Sequence, residues 1–371
     1  MNKKITLFDL ANALGVSTGT VHRALHDHPG INADTKRRVL SIAKSLGYRP
    51  NLAARFLASG RGLKISVNTL KGTTSFWDDV RAGITEEANA LPMENVEVVF
   101  RTYPQLDEGD EKAFEAALNA HADGIIVFPS RVEKLRLYIA TASRLNIPTV
   151  CVVTDAPNTD RLAVVSADNL ASGALAADLM GRWMRGRGRV AITLSDFGIS
   201  EHADKYRAFE STLSSLYPDM RLEKPIEDHD VEPEAYQKCR QLFSACPDLG
   251  GMYITTEASI PVLRAARDAG ILEKLTIITT DLFPELVTEI RSGAVMATIY
   301  QRPRAQGRTA FRYLYEFLVE GKNPPSHFTL APHLVMRGNL DFFLQRQFSD
   351  VNASKELSEE AGDSILEADM R

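Results

Sequence analysis

The stretch at residues 6–25, TLFDLANALGVSTGTVHRAL, contains two short amphipathic helical patterns separated by a glycine. Thr6 and Asp9 have the spacing of a capping box, and the apolar residues after them keep a helical period until Gly15 ends it. Ser17 is then a candidate N-cap for a second helix. The apolar residues of the two helices are Leu7, Leu10, Ala11, Leu14, Val21, Ala24 and Leu25. Two short helices joined by a tight turn predict a helix-turn-helix.

A third helix follows this pair and completes a small helical head. Its pattern runs from about Asp34 to Gly47, with Val39, Ile42, Ala43 and Leu46 as inward positions. The segment 5–61, ITLFDLANALGVSTGTVHRALHDHPGINADTKRRVLSIAKSLGYRPNLAARFLASGR, closely resembles the DNA-binding head of LacI/GalR-type repressors. The resemblance implies that residues 1–48 form the head and that its second helix lies in the major groove of DNA.

The same resemblance assigns candidate DNA contacts in the head. Thr18 and Gly19 occupy positions at which the family varies its base-reading residues. Arg23 matches a family arginine, and a guanidinium can bind guanine through two hydrogen bonds. His22 replaces a small hydroxyl residue, so a base contact, a phosphate contact and no contact all stay open. The candidate contacts are Thr6, Ser17, Thr18, Gly19, Thr20, His22 and Arg23.

Residues 49–61 form the candidate hinge. The sequence NLAARFLASG is too short to be a stable helix by itself in water. In the family this segment orders on DNA, pairs with its dimer partner and inserts a leucine into the minor groove. Leu57 matches that leucine, and the neighbouring candidate contacts are Asn51, Ala54 and Arg55. The alternative is an ordinary linker whose Phe56 and Leu57 pack on the body.

Charge is distributed unevenly along the chain. The net charge is −5, but residues 1–64 carry eleven Lys or Arg and three acids, which gives +8 there and −13 in the remainder. A basic head on an acidic body indicates that only the head meets a polyanion. A solvated basic face is the alternative.

From residue 62 to about 346, short apolar runs alternate with helical stretches, which is typical of parallel α/β units. The stretches VSADNLASGALAADLM, ISEHADKYRAFESTL and TTDLFPELVTEIRSGAVMATIYQRPRAQGRTA resemble type I periplasmic sugar-binding proteins, whose fold the LacI/GalR effector domains share. The predicted fold is therefore α/β: a small all-α head plus a two-lobed body of parallel sheets. One lobe is expected at about 62–166 and 298–328, the other at about 167–297 and 329–346.

Candidate ligand contacts lie at strand ends, where such sheets bind ligands. Asp281 ends LTIITTD, where its carboxylate can accept hydrogen bonds from two neighbouring hydroxyls, and Gln301 follows ATIY. A cap on the next helix is the alternative for Asp281. Phe76 and Trp77 suit the apolar face of a sugar ring, with a core position as the competitor. The remaining candidates are Thr154, Asp155, Asp168, Thr256, Lys205 in place of a family arginine, and His202 as its competitor.

Other classes of protein find little support in the sequence. No apolar run has the length of a signal peptide or a membrane span, so a cytoplasmic protein is predicted. No enzyme activity, cofactor or metal site is predicted, because catalytic and phosphate-binding motifs are absent and Cys151, Cys239 and Cys246 lack C-x-x-C spacing. The EDHDVE run around His229 is interpreted as a solvated loop. The acidic, Ser-rich residues 347–371 are predicted to be disordered.

These features together predict a homodimeric regulator whose affinity for palindromic double-stranded DNA is controlled by a small sugar-like effector. Three alternatives stay open. A purine- or nucleoside-responsive regulator of the same fold needs stacked aromatic residues and an arginine in the cleft. A DNA-acting enzyme needs a catalytic serine or tyrosine set, and a transport binding protein needs an export signal.

Leu57→Ala is expected to weaken specific DNA binding about tenfold, or about 1.4 kcal/mol, because the minor-groove wedge is lost. Binding to random DNA is expected to change little, since phosphate contacts dominate it. Fluorescence anisotropy with a DNA site selected from a random library, and with a scrambled duplex, measures both. An equal loss on the two DNAs would show that Leu57 is not a wedge.

Overall fold

A computed structural model describes residues 5–25, 30–46, 62–72, 75–91, 96–256 and 258–347. These residues divide into one unit that holds the three head helices and a second that holds two β-sheets. The hinge candidates Asn51, Ala54, Arg55 and Leu57 and the expected disordered tail lie outside the described residues, so those predictions stay predictions.

The head contains α1 Leu7–Leu14, α2 Thr18–Leu25 and α3 Ala33–Ser45. The predicted capping box is confirmed: Asp9 N donates to Thr6 Oγ1 at 3.2 Å, and Thr6 N donates to Asp9 Oδ2 at 2.8 Å. Gly15 ends α1 with a left-handed φ of 65°, which glycine adopts without a steric penalty. The buried core of the head consists of Leu10, Ala11, Val21, Ala24, Val39 and Ala43.

The third helix starts as predicted, within one residue of Asp34, but it ends earlier than predicted. It begins at Ala33 because the side chain of Asn32 accepts a hydrogen bond from Asp34 N at 2.8 Å, which is the geometry of an N-terminal cap. Leu46 lies beyond the last helical residue and is 42% exposed, so its assignment to the core is wrong.

The first lobe has a six-stranded parallel sheet. Its elements are β1 Leu63–Leu70, α4 Ser75–Ala90, β2 Val96–Tyr103, α5 Asp110–Asn119, β3 Gly124–Val127, α6 Val132–Arg144, β4 Thr149–Val152, β5 Ala163–Ala167, α12 Pro303–Tyr315 and β12 His327–Leu330. The strand order is β12-β5-β4-β3-β1-β2. Every residue of β3 and β4 is buried, as expected for parallel strands covered by helices on both faces.

The second lobe repeats this plan. Its elements are α7 Asn169–Trp183, β6 Gly188–Leu194, α8 Ser200–Leu216, β7 Met220–Leu222, β8 Ile226–Glu227, α9 Glu232–Ala245, β9 Leu249–Ile254, α10 Ser259–Asp268, β10 Thr276–Thr280, α11 Pro284–Ser292, β11 Ala297–Tyr300, β13 His333–Val335 and α13 Leu340–Gln347. The order is β13-β11-β10-β9-β6-β7, with β8 beside β6. All pairs are parallel except β11 with β13.

The chain therefore passes between the lobes three times, after β5, β11 and β12, and these segments are the crossings. Strand β11 pairs in the second sheet, so the second crossing follows Tyr300 instead of starting at residue 298. Strand β12 pairs with β5 through Leu330, which moves the third crossing from residue 328 to beyond residue 330.

Glycines let pairs of helices approach closely within each lobe. A Cβ on Gly83 of α4 would lie 2.0 Å from the carbonyl oxygen of Arg304, and one on Gly307 of α12 would lie 2.1 Å from that of Val80. In the second lobe, a Cβ on Gly173 of α7 would lie 2.1 Å from the carbonyl oxygen of Lys205 in α8. Each lobe is therefore built around a tight helix pair that leaves little room for internal rearrangement.

The three cysteines are buried and unpaired. Burial raises the pKa of the Cys151 thiol to about 12, so the reactive thiolate is not formed near neutral pH. Among the residues the structure describes, none lies in a helix that is both long and apolar enough to cross a bilayer.

Gly83→Ala is expected to lower the free energy of unfolding by about 1–3 kcal/mol, because the added methyl group forces α4 away from α12. Urea unfolding followed by circular dichroism measures this. Gly338→Ala is the control, since no atom lies within 4 Å of a Cβ there and a change within about 0.5 kcal/mol is expected. A Gly83 variant as stable as wild type would contradict the close helix contact.

Candidate functional site

The second head helix turns its polar side chains away from the head core. Thr18, Gly19, His22 and Arg23 are exposed and Thr20 is half-buried, whereas Val21 and Ala24 are buried. Ser17 is exposed and caps the helix, with its Oγ accepting from Thr20 N at 3.1 Å. Thr6 is exposed beside α1. The predicted head contacts are thus on accessible positions, and Ser17 and Thr6 also hold the two helix starts.

Gly19 is not required by the packing of the head. Its φ is not positive, and an added Cβ would have Ser17 Oγ, at 3.8 Å, as its only neighbour within 4 Å among the described residues. Its carbonyl accepts a hydrogen bond from Arg23 Nε at 3.3 Å, which holds the arginine along the helix. Because a glycine in a helix costs up to about 1 kcal/mol relative to alanine, the reason for Gly19 lies outside the fold of the head.

A cavity of about 480 Å³ lies between the two lobes of the body. It is formed at the carboxyl ends of strands from both sheets, the expected position for a ligand site in such folds. Residues that line it are Leu70, Gly72, Phe76, Trp77, Pro104, Gln105, Leu106, Phe128, Val153, Ile199, Glu201, His202, His229, Asp230, Val231, Glu232, Pro233, Thr255, Thr256, Asp281 and Gln301. These residues define the cleft cavity.

Six predicted ligand residues line the cleft cavity, namely Phe76, Trp77, His202, Thr256, Asp281 and Gln301. Thr154 is buried beside it, and its Oγ1 lies 2.7 Å from Ser200 Oγ. Thr256 Oγ1 donates to Asp228 Oδ2 at 3.2 Å and accepts from Ala258 N at 3.2 Å, so its hydroxyl is already bonded within the second lobe.

Besides Thr154, three predicted ligand residues are absent from the lining, and each has a partner within the protein. Asp155 binds the guanidinium of Arg161 with both oxygens. Asp168 caps α7, accepting from Ala171 N at 2.9 Å. The side chain of Lys205 is fully buried and binds Glu201. Direct ligand contact by these residues stays a prediction that the cavity lining does not test.

The apolar side of the cavity is an aromatic cluster in the first lobe. Trp77 packs edge-on against Phe76 and Phe128, with ring centroids 5.2 and 4.7 Å apart. Gly72 makes room for it, because a Cβ there would lie 2.5 Å from the indole ring. Phe76 and Trp77 are 7% and 5% exposed, so both are buried side chains that also line the cavity. Such a wall suits the apolar face of a ring-shaped ligand.

The polar side contains Asp281 and Gln301, which bind each other. Gln301 donates to both carboxylate oxygens, from its backbone N at 3.1 Å and from Nε2 at 2.7 Å. The alternative of a helix cap is not observed, since Phe283 precedes α11 without any side-chain cap bond. Burial raises the pKa of Asp281 to about 7, although Lys205 and the Gln301 bonds favour the charged form.

Four lining residues other than glycine have a left-handed backbone: His229 and Asp230, with φ of 53° and 56°, and two residues that directly follow strands. Val153, which directly follows β4, has a φ of 73°. The backbone N–H of the next residue, Thr154, donates to Val152 O at 2.9 Å and closes a three-residue turn. Asp281 has a φ of 67° after β10. Left-handed conformations are rare for a β-branched residue, and such strain is concentrated at functional sites.

A buried ionic cluster that the sequence did not indicate lies beside Asp281. Lys205 Nζ is 3.0 Å from Glu201 Oε1, and Glu201 Oε2 has no hydrogen-bond partner in the described part of the chain. The Lys205 charge lowers the pKa of Glu201 despite its burial, so this carboxylate is ionised. Burial lowers the pKa of His202 to about 4, which keeps its ring neutral. Glu201 and Lys205 have the i,i+4 spacing of a helical ion pair, but only the fold buries the pair and brings Glu201 to the cavity.

Two polar contacts join the lobes across the cleft. Arg131 of the first lobe donates to both carboxylate oxygens of Asp196 in the second, and the first of these bonds is 3.1 Å long. Gly198 permits this approach, because a Cβ there would lie 2.1 Å from Arg131 Nη1. The arginine lowers the pKa of the Asp196 carboxyl. The second contact is that between the Thr154 and Ser200 hydroxyls.

One group of metal-ligand types occurs among the described residues, made of Asp196, Glu227 and His229, whose ligand atoms lie within 4.8 Å of one another. Its members already have partners. Asp196 binds Arg131, Glu227 Oε2 accepts from Phe197 N at 3.1 Å, and His229 Nδ1 lies 3.1 Å from Glu234 Oε1. The group differs from the Asp228, His229 and Asp230 run considered in the sequence.

Asp281→Asn is expected to change how stability depends on pH. The folded pKa of about 7 exceeds the unfolded value of about 3.9, so wild type loses stability as pH rises through this window. As the pH rises from 5 to 8, the free energy of unfolding of the variant is expected to increase by about 2–3 kcal/mol relative to that of wild type. Urea unfolding at each pH measures this, with exposed Asp219→Asn as the control. Parallel profiles for wild type and Asp281→Asn would contradict the buried, proton-binding carboxyl.

Two protein families match consecutive parts of the chain. Residues 6–51 match the bacterial regulatory proteins of the lacI family, and residues 65–323 match the periplasmic binding protein domain. The first match covers the three head helices, and the second covers most of both lobes and the cleft cavity between them.

Curated relatives and solved structures agree with this division. Catabolite control protein A of Staphylococcus epidermidis is 25% identical over 89% of this chain and 97% of its own length. The HTH-type transcriptional regulator AglR of Rhizobium meliloti is 25% identical over 89% and 93%. The crystal structure of GanP, a glucose-galactose binding protein from Geobacillus stearothermophilus, has a TM-score of 0.70 and 24% identity over 76% of this chain and 99% of its own. The chain therefore belongs to the lacI family of bacterial regulatory proteins, as a DNA-binding transcriptional regulator whose body is a periplasmic binding protein domain.

Proposed function

We propose that the chain is a cytoplasmic, homodimeric repressor whose affinity for a palindromic DNA site is controlled by a small sugar-like effector bound in the cleft cavity. The observation that carries the proposal is the cavity itself. One wall is aromatic, with Trp77 and Phe128, and the opposite wall presents the carboxylates of Asp281 and Glu201. A pyranose or furanose ring has this division between an apolar face and a rim of hydroxyl donors.

Solved structures of the same fold support a sugar as the effector. GanP is named a glucose-galactose binding protein, and a solute binding protein from Burkholderia graminis in complex with D-arabinose has a TM-score of 0.70 and 19% identity. Both share the two-lobed fold of the body. A purine or nucleoside effector has less support, because the described lining residues include no arginine to bind it.

Coupling between effector and DNA follows from the three crossings and the contacts across the cleft. Gln301 lies at the second crossing and binds Asp281 on the cavity wall. A ligand that contacts Asp281 therefore acts, through Gln301, on the segment that joins the lobes. Opening the cleft breaks the Arg131–Asp196 and Thr154–Ser200 contacts, so ligand binding and the arrangement of the lobes share one equilibrium. Such linkage is reciprocal: effector and DNA change each other's affinity by the same factor.

The predicted DNA contacts on α2 complete the proposal. Thr18, His22 and Arg23 form an exposed polar edge, and Gly19 lets a base or backbone approach closely. A single head contacts too little DNA for strong specificity, and a twofold dimer explains a palindromic site.

Asp281→Ala is expected to abolish the thermal shift that an effector sugar produces in the full-length protein, because a central acceptor is removed. DNA binding is expected to stay measurable and to become insensitive to that sugar. A thermal-shift screen of pentoses, hexoses, polyols and nucleosides, followed by anisotropy with the selected DNA site, measures both. Asp219→Ala, at an exposed loop position, is the control. A full shift retained by Asp281→Ala would remove this residue from the site.

A further inference from the structure

We infer that the cleft cavity accepts effectors that bring hydrogen-bond donors and carry no negative charge, and that Glu201 enforces this choice. The inference rests on the proposed function, because it specifies the chemical class of the effector in the same cavity. Hydroxyl groups and protonated amines are the donors that fit. Sugars with a phosphate or a carboxylate group are rejected.

The charged groups in the lining are of one sign, although Asp281, with a pKa of about 7, carries its charge only in part at neutral pH. Glu201, Asp230, Glu232 and Asp281 line the cavity, and neither Lys nor Arg occurs among its described lining residues. Lys205 lies behind this surface, fully buried, with its ammonium 3.0 Å from Glu201 Oε1. Its charge is therefore matched inside the protein. Sites for phosphate and carboxylate groups rely on Arg, Lys or free backbone N–H groups.

Glu201 provides an acceptor that the protein does not satisfy. The residue is 7% exposed, and one carboxylate oxygen, Oε1, binds Lys205. The other oxygen, Oε2, has no partner among the residues described, which is costly for a buried ionised group. A hydroxyl or ammonium group of a ligand relieves this cost, whereas an anion increases it.

His202 adds a second acceptor. Its Nδ1 lies 3.1 Å from Thr255 Oγ1, and that hydroxyl donates its only proton to Thr193 O at 2.9 Å. Nδ1 must therefore carry the ring proton and donate to Thr255. Because the ring is neutral, Nε2 has no proton and can only accept. It lies 3.7 Å from Glu201 Oε1, which is also an acceptor.

Three described helices begin at the cavity, and each carries an acidic residue in its first turn. A helix N-terminus attracts negative charge through its free N–H groups. Helix α4 has Asp78 in its first turn, α8 has Glu201, and α9 has Glu232. Side chains of the protein thus already place negative charge at all three positions. The acidic lining residues, the buried Lys205 and the helix starts all favour an effector that donates hydrogen bonds and carries no negative charge.

Fluorescence of Trp77 gives a direct readout of binding. The chain has two tryptophans, and Trp183 is 61% exposed and absent from the lining. In a W183F background, Trp77 in the cavity wall is the only tryptophan. The full-length protein is titrated with matched sets: D-glucose, D-glucosamine, D-glucose 6-phosphate and D-gluconate, and the corresponding forms of D-galactose and D-ribose. Calorimetry confirms each affinity.

In each set that binds, the phosphate and acid forms are expected to bind at least about 100-fold more weakly than the neutral or amino form, because like charges meet in a desolvated site. E201Q keeps the acceptor for Lys205 but turns the free oxygen into an N–H donor. It is expected to reduce this discrimination about tenfold or more. E210Q makes the same charge change at an exposed position of α8 and is expected to leave it unchanged.

Equal or tighter binding of the phosphorylated sugars to wild type would overturn the inference while leaving a sugar effector in place. Unchanged discrimination in E201Q would overturn the role of Glu201. If the variant fails to fold, the comparison of matched ligands on wild type still decides the effector class. Binding of no sugar in any form would contradict the proposed function, and the inference would fall with it.

Discussion

The contact between Asp281 and Gln301 is the interaction on which the body depends. Asp281 sits at the end of β10 in a left-handed conformation, and both oxygens of its carboxylate receive N–H groups from Gln301. Gln301 is also the first residue beyond β11, and its carbonyl accepts from Gln306 Nε2 at 2.8 Å as α12 begins. One side-chain pair therefore connects the cavity wall, the second crossing and the first helix beyond it.

The surroundings of this pair explain why a signal can travel from the cavity. Each lobe contains helices in contact through glycine, at Gly83 with Arg304 and at Gly173 with Lys205, and such packing resists internal adjustment. The three crossings and the contacts across the cleft are the links between the lobes. Packed lobes have discrete arrangements, which is how a small change at a ligand is converted into a change between lobes.

Much of the head was predictable, because its signals are local. The capping box of Thr6 and Asp9, the left-handed Gly15 and the cap at Ser17 involve residues within a few positions of each other. The error at Leu46 arose because periodicity continues past the last hydrogen-bonded turn. In the body, the alternation of short apolar runs with helical stretches also predicted the strands and helices. The observed lobe boundaries differ from the predicted ones by a few residues, because sheet pairing assigns Ala297–Tyr300 to the second lobe.

The cleft shows where local signals end. Asp281 and Gln301 were found because they follow strands, and strand ends meet at one edge of a parallel sheet. Asp155 and Lys205 lie outside the cavity lining, with Arg161 and Glu201 as their partners, and no signal in the sequence indicated that these pairs would be buried or half-buried.

The sequence by itself thus determined the head, the two-lobed α/β body and the edge of the sheets where the candidate ligand site lies, since spacing and periodicity encode them. Only the tertiary structure decided which carboxylates face the cavity. Glu201 and Lys205 are four residues apart on α8, a spacing that the sequence displays, but only the packing of the chain buries this pair and places Glu201 at the cavity.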